Sequence, residues 1–157
     1  VENNLYSSHL DIKLRQPGDR VARFAEANNI KTEVTDGNNV NDISQKSEKL
    51  IEYSRQLKGP TFLEAVTFRW MGHVGPDENI DVGIRRSQKE INEWKKRDPI
   101  LRLQKAIIRL GCNLSIIEKI NLSVENMISE AKTYAYNQPF PAKEDLLKFV
   151  YSSPKES

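Results

Sequence analysis

The middle of the chain constrains the fold most, because two strand patterns flank one helix pattern with short turn signals between them. Residues 30–35 alternate between apolar and polar side chains and stop at the turn 36–39, as a half-buried strand does. An apolar stripe at helical spacing runs over 40–57, and a mostly apolar strand is predicted over 62–68 after Gly59-Pro60. Strand, helix and strand in this order predict a right-handed βαβ unit with parallel strands.

The start of the chain adds a third strand end. Val1 is followed by Glu2-Asn3-Asn4-Leu5-Tyr6, which is typical of a buried strand opening into a loop. A short helix is predicted from Asp19, as its cap, to Ala27. We therefore expect an α/β fold in which the loops after Val1, Thr35 and Phe68 share one sheet edge, where such folds bind ligands.

The remainder of the chain is predicted to be helical. One helix is expected from Ser87 to Arg97, and another from Asp98-Pro99 to about Gly111, since proline suits a first helical position. A capping box at 115–118 predicts a long third helix that Pro139 ends. A last amphipathic segment, 144–151, is expected to bury Leu146, Leu147 and Val150. The predicted domains are an α/β portion, 1–86, and a helical extension, 87–157.

Composition excludes several classes of function. The 157 residues carry 24 Lys and Arg against 22 Asp and Glu, so electrostatics do not favour nucleic acid as a partner. No apolar run approaches the roughly 20 residues that a membrane helix needs, and the first residues do not show the charged-then-apolar pattern expected of a leader. We therefore expect a cytoplasmic protein without a membrane partner. The one cysteine, Cys112, has no partner for an internal disulfide and no neighbouring metal ligands.

Two segments could carry chemistry at the predicted sheet edge. A carboxamide oxygen at Asn4 and a backbone carbonyl at Tyr6 are neutral donors of the kind that Mg²⁺ or Ca²⁺ accepts. Arg69 and His73, at the start of a long polar loop, could neutralise phosphate groups. Paired asparagines are also common in turns, and this chain has two further pairs, at 28–29 and 38–39.

The order of these segments resembles the alpha subunits of thiamine-diphosphate-dependent 2-oxo acid and acetoin dehydrogenases. Glu2-Asn3-Asn4-Leu5-Tyr6 is similar to the second half of the family's thiamine diphosphate motif, whose first half, Gly-Asp-Gly, does not occur in this chain. Residues 68–73 match the family's segment of aromatic, Arg, aromatic, variable residue, Gly and His in order. The turn Asp36-Gly37-Asn38 and the stretch 95–100, Lys-Lys-Arg-Asp-Pro-Ile, also match. In the turn, glycine is expected to supply a positive φ.

The resemblance implies site residues and an activity. Asn4 would give its side-chain oxygen and Tyr6 its carbonyl to Mg²⁺, with Asn3 as structural support. Arg69 and His73 would bind the diphosphate, and His73 is also the predicted catalytic residue. The implied enzyme decarboxylates a 2-oxo acid oxidatively, or acts on acetoin, and passes the acyl group to a lipoyl acyltransferase. The serine at which a kinase acts in the mitochondrial pyruvate enzymes is Val74 here.

The implied assembly is an α2β2 heterotetramer in which the beta subunit holds the aminopyrimidine of the cofactor. The chain would then be the carboxyl-terminal half of an alpha subunit, cut from a longer polypeptide and inactive alone. Two alternatives stay open. The helical region from Ser87 onward could be a non-catalytic docking and assembly module of a larger complex. An unrelated α/β domain would require the matches at three loops and at 95–100 to be coincidences.

Overall fold

A computed structural model describes residues 1–8, 10–18, 20–75, 77 and 86–148. The chain divides into two compact units, Val1–Gly111 and Cys112–Ser157. His9 and Asp19 lie outside the described residues, as does most of the loop 76–85. The predicted domain boundary between residues 86 and 87 stays a prediction.

The first unit is built on a three-stranded parallel sheet. Strands β1 (Glu2–Asn3), β2 (Lys31–Asp36) and β3 (Thr61–Val66) lie in the order β1-β3-β2. Asn3 and Asp36 are both paired with Val66 in the register of the sheet. The three strands therefore end at one level, which confirms the α/β fold, the parallel βαβ unit and the shared edge of the three loops.

The helices follow the sequence pattern closely. The described helices are α1 (Ile12–Arg15), α2 (Ala22–Glu26), α3 (Val40–Arg55), α4 (Gln88–Lys95), α5 (Pro99–Arg109) and α6 (Leu114–Tyr136), followed by a 3₁₀ turn, Lys143–Leu147. Asn39 caps α3 by accepting a bond from the backbone N–H of Asp42, and Asp98 caps α5 ahead of a proline at its first position. The short helix α1 was not predicted. Helix α2 starts at Ala22 with Val21 as its N-cap residue and no side-chain cap, so its predicted start with Asp19 as the cap is wrong.

Some predicted details are wrong. On α3, Leu50 is buried as expected, but Val40 and Ile51 are exposed and Leu57, beyond the helix, is 93% exposed. The cap of α6 is Asn113, whose side chain accepts from the N–H of Ser115 at 3.0 Å, and not a capping box begun at Ser115. Leu146 is 80% exposed rather than buried, because a single 3₁₀ turn offers no broad face to cover it. The predicted helix over residues 149–151 lies outside the described residues.

Gly37 is required for a reason other than the predicted positive φ. Its backbone does not adopt that conformation, whereas Gly59, Gly75 and Gly111 do. A Cβ at Gly37 would instead lie 2.8 Å from the carbonyl oxygen of Val66, which accepts the N–H of Gly37 at 2.7 Å. The turn after β2 therefore presses against the end of β3, and only glycine fits there.

The first unit also includes α4 and α5. The ring of Trp94 stacks on that of Phe68 with centroids 5.4 Å apart, and the side chain of Asn38 donates to the carbonyl of Arg97 at 3.0 Å. In the part of the chain that the structure describes, no helix is long and apolar enough to cross a membrane.

Candidate functional site

The first segment of the candidate site is a tight loop at the end of β1. The side-chain oxygen of Asn3 accepts the N–H of Leu5 at 3.1 Å, and that of Asn4 accepts the N–H of Tyr6 at 3.1 Å. Leu5 lies between these two turns with φ at +68°, a conformation that a branched side chain rarely adopts. The carbonyl of Asn3 accepts the N–H of Thr67 at 2.9 Å, which ties this loop to the end of β3.

The second segment follows β3 and brings Arg69 and His73 into contact. A guanidinium nitrogen of Arg69 lies 3.2 Å from Nδ1 of His73, and Nε of Arg69 donates to the carbonyl of Met71 at 3.2 Å. Because a guanidinium can only donate, Nδ1 of His73 is the acceptor if this contact is a hydrogen bond. His73 is exposed and Arg69 is half-buried, and both side chains carry N–H groups, the donors that phosphate oxygens accept.

Aromatic rings and one buried arginine join the two segments. The ring of Tyr6 meets that of Phe68 edge-on, with centroids 5.9 Å apart. Arg86, only 4% exposed, lies 5.9 Å from the ring centroid of Tyr6 and 5.4 Å from that of Phe68. It also donates to the carbonyls of Arg69 and, at 3.0 Å, of Met71. The backbone that carries Arg69 is thus held against the loop that carries Tyr6.

The phenol of Tyr6 is held in its neutral form. Burial and the negative charge of Glu90 raise its pKa to about 12. The hydroxyl lies 3.3 Å from a carboxylate oxygen of Glu90 on α4 and donates to it. This bond fixes the side chain of Tyr6 to helix α4. The backbone carbonyl of Tyr6 is therefore the group of this residue that is suited to bind a ligand.

The third loop of the edge is structural. Asp36 forms ion pairs with Arg97 at 2.8 Å and Arg102 at 3.0 Å, and accepts the N–H of Asn38 at 2.9 Å. Burial alone would raise the pKa of Asp36, but these hydrogen bonds outweigh it and lower that pKa. The hydroxyl of Thr67 donates to the side-chain oxygen of Asn38 at 3.2 Å. The turn after β2 thereby joins β3 to the segment between α4 and α5.

The donors available for a cation are neutral. Among the described residues, no group of three or more His, Cys, Asp or Glu side chains could hold a metal ion. The half-buried carboxamide oxygen of Asn4 uses one bond for the N–H of Tyr6, and a carboxamide oxygen has a second lone pair. Asn4 and Tyr6 therefore fit the neutral part of a Mg²⁺ shell whose charge comes from phosphate or from elsewhere in the protein.

The roles of two residues, Glu64 and Arg86, were not predicted from the sequence. Glu64 was counted within a mostly apolar strand, yet it is fully buried and accepts hydrogen bonds from Asn3, Val21 and Ala22. Arg86 belongs to a polar stretch and carried no pattern of its own. A charged residue within a mostly apolar strand was the available signal for Glu64.

Comparison with known proteins identifies the family to which the sequence is similar. The family model described as "Dehydrogenase E1 component" matches residues 1–144. The chain is 30% identical to the pyruvate dehydrogenase E1 component subunit alpha of Porphyra purpurea, over 97% of this chain and 43% of that protein. It is 31% identical to the chloroplastic subunit alpha-3 of Oryza sativa subsp. japonica, over 99% and 36%.

A third relative is also similar. The 2-oxoisovalerate dehydrogenase subunit alpha of Bacillus subtilis is 26% identical over 96% of this chain and 45% of its own length. The chain spans less than half the length of these curated relatives. The match over residues 1–144, with the order of loops at the sheet edge, shows that the chain belongs to the dehydrogenase E1 component family.

Proposed function

We propose that this chain supplies the carboxyl-terminal half of an alpha subunit in a thiamine-diphosphate-dependent 2-oxo acid or acetoin dehydrogenase. The observation that carries the proposal is the joining of two loops at one sheet edge: Arg86 holds the backbone of Arg69 and Met71 against the ring of Tyr6. One loop offers neutral oxygens and the other offers N–H donors. This pairing suits a cation together with a diphosphate.

Each side of the site has its own task. Asn4 would bind Mg²⁺ through its side-chain oxygen and Tyr6 through its carbonyl, while Arg69 and His73 would donate to the diphosphate oxygens. When bound, thiamine diphosphate supplies an electron sink for the carbanion left by decarboxylation. The chain's own residues bind and orient that cofactor, and His73, the proposed catalytic residue, would act through its contact with the diphosphate.

The partners follow from the same proposal. A beta subunit would complete an α2β2 heterotetramer, and a lipoyl acyltransferase would accept the acyl group. The substrate would be a 2-oxo acid or acetoin. Relatives of this chain are named as pyruvate and 2-oxoisovalerate enzymes, which supports a 2-oxo acid as the substrate class.

The test is the cofactor dependence of a complete complex that carries Arg69→Ala or His73→Ala. A phosphate contact contributes nearly the same binding energy in the ground and transition states. Each change should therefore raise the half-saturating thiamine diphosphate concentration, by about tenfold for a charge-assisted hydrogen bond, and alter the saturated rate far less. The effect at Arg69 should be the larger.

Arg20→Ala is the matched control, because it removes an exposed arginine that pairs with Glu26 at 2.6 Å. It should leave the cofactor dependence unchanged. A large fall in saturated rate with unchanged cofactor dependence for Arg69→Ala and His73→Ala would contradict diphosphate binding and place both residues in substrate chemistry.

A docking module is the second candidate, and α6 in the second unit favours it. Its residues Ile120, Val124, Met127, Ile128 and Tyr134 share the predicted apolar face and are all exposed. Exposed apolar side chains in such number mark a surface that another protein covers. Met127→Glu with Ile128→Lys should then prevent co-purification of a beta subunit, whereas a purely catalytic role for the chain predicts intact assembly.

A further inference from the structure

Glu64 is a buried carboxylate at the centre of β3 that the proposed cofactor contacts do not use. Its side chain is fully buried, and a buried charge is costly unless hydrogen bonds compensate it. One oxygen accepts the side-chain amide of Asn3 at 2.6 Å and the N–H of Val21 at 3.1 Å, and the other accepts the N–H of Ala22 at 2.7 Å. All three partners are donors, so this position needs an acceptor at both oxygens.

The bonds from Val21 and Ala22 to Glu64 serve the start of helix α2. Helix α2 has no side-chain cap of its own at Val21, and the first N–H groups of a helix lack partners within it. Glu64 provides those partners from the neighbouring strand. This part of its role is structural.

The bond to Asn3 has a different consequence. Because the amide nitrogen of Asn3 is committed to Glu64, its oxygen must face the N–H of Leu5, which it accepts at 3.1 Å. Leu5 is the residue with φ at +68°, and such a conformation persists only where the surroundings determine it. Leu5 separates Asn4 from Tyr6, so its conformation decides where both oxygens lie.

We propose that Glu64 is a positioning residue for the metal site: through Asn3 it holds Leu5 in its left-handed conformation and so places the oxygens of Asn4 and Tyr6 for Mg²⁺. This inference rests on the proposed function, since it presumes that those two oxygens bind the cation. Glu64 acts through Asn3 and touches neither the metal nor the cofactor. The carboxylate is required because the side-chain amide of a glutamine would place its NH2 group, a donor, against another N–H donor.

The experiment measures Mg²⁺ binding to the complete complex in the presence of thiamine diphosphate, by titration calorimetry and by the Mg²⁺ dependence of activity. Glu64→Gln preserves size and removes one acceptor. Asn3→Ala leaves the bonds from Val21 and Ala22 to Glu64 and removes the side chain that connects Glu64 to Leu5. Both variants should raise the half-saturating Mg²⁺ concentration by about tenfold or more, the usual effect of losing a group that orients a metal ligand.

Leu50→Ala is the control for lost stability, because Leu50 is a buried core residue of α3. It should lower the melting temperature without changing Mg²⁺ affinity. An unchanged Mg²⁺ affinity in Asn3→Ala would overturn the proposal, even if Glu64→Gln failed to fold. A shift in Leu50→Ala as large as that in Asn3→Ala would overturn it too, because the effect would then be one of general stability.

Asn4→Ala in the same titration separates this inference from the proposed function. If Asn4→Ala weakens Mg²⁺ binding and Asn3→Ala does not, only the role of Glu64 fails. If Asn4→Ala leaves Mg²⁺ affinity unchanged, the metal assignment itself is wrong.

Discussion

Replacing Gly37 by alanine tests how tightly the sheet edge is packed. The added Cβ would lie 2.8 Å from the carbonyl oxygen of Val66 and 3.0 Å from Cβ of Thr67. Both neighbours belong to the end of β3 and its continuation, and cannot turn away as a flexible side chain would. Relieving the contact means moving Gly37 from Val66, whose carbonyl accepts its N–H at 2.7 Å.

The size of the effect follows from two opposing terms. Overpacking at a site of this kind costs about 1–3 kcal/mol, and the reduced freedom of the unfolded chain returns about 0.4–1 kcal/mol. We expect a net loss of about 1–2 kcal/mol in the free energy of unfolding, or about 2–8 °C in melting temperature for a chain of this size.

Urea unfolding followed by tryptophan emission is the suitable assay, because Trp70 and Trp94 both lie in the first unit and report on it alone. The matched control is Gly18→Ala, since a Cβ at Gly18 meets nothing within 4 Å. That variant should be neutral or slightly more stable. Equal stability of the Gly37→Ala and Gly18→Ala proteins would refute the close packing of the turn against β3.

Three further predictions concern charge and binding. Because the pKa of Asp36 is lowered in the folded protein, its contribution to stability is complete above the unfolded pKa and is lost as the pH falls through the folded pKa. Asp36→Asn should therefore flatten the acid limb of a plot of unfolding free energy against pH. An unchanged acid limb would contradict the ion pairs with Arg97 and Arg102. The pKa of Tyr6 is about 12 when folded, so the native protein and Tyr6→Phe should show the same absorbance change from tyrosine ionisation near pH 10 and should differ only as the pH approaches 12. A larger change near pH 10 in the native protein would contradict the raised pKa. Stability from this group is present below pH 10 and falls as the pH rises towards 12. The 157-residue chain alone should bind thiamine diphosphate weakly even with excess Mg²⁺, because its proposed metal ligands are neutral and Mg²⁺ is usually held by at least one carboxylate; micromolar affinity by titration calorimetry would disprove this.

The sequence predicted the elements whose signals are local. The alternation before Asp36, the apolar stripe of α3 and the Asp-Pro start of α5 each determine their own structure, so the βαβ unit and the shared sheet edge were predictable. The cap at Asn113 was missed because a stronger pattern, Ser115 with Glu118, lay two residues further on. Helix α1 has only four residues, too few to show a period.

The contacts that organise the site could not be predicted, because they join distant residues. Glu64 and Asn3 are 61 positions apart, and Arg86 is 17 positions from Arg69. Nothing in the local pattern of either charged residue indicates which donors or carbonyls it will meet. The same holds for Gly37, whose turn chemistry suggested a positive φ while the true constraint is the approach of Val66.

The position of the cation in a complete complex tests most directly whether Asn4 and Tyr6 bind the metal. A crystal structure with thiamine diphosphate and Mn²⁺ in place of Mg²⁺ would locate the ion by its anomalous scattering. We predict a metal within about 2.5 Å of both the side-chain oxygen of Asn4 and the carbonyl of Tyr6, with Arg69 or His73 donating to the diphosphate. A metal bound to the diphosphate without the oxygens of Asn4 and Tyr6 in its coordination shell would contradict the proposed metal site.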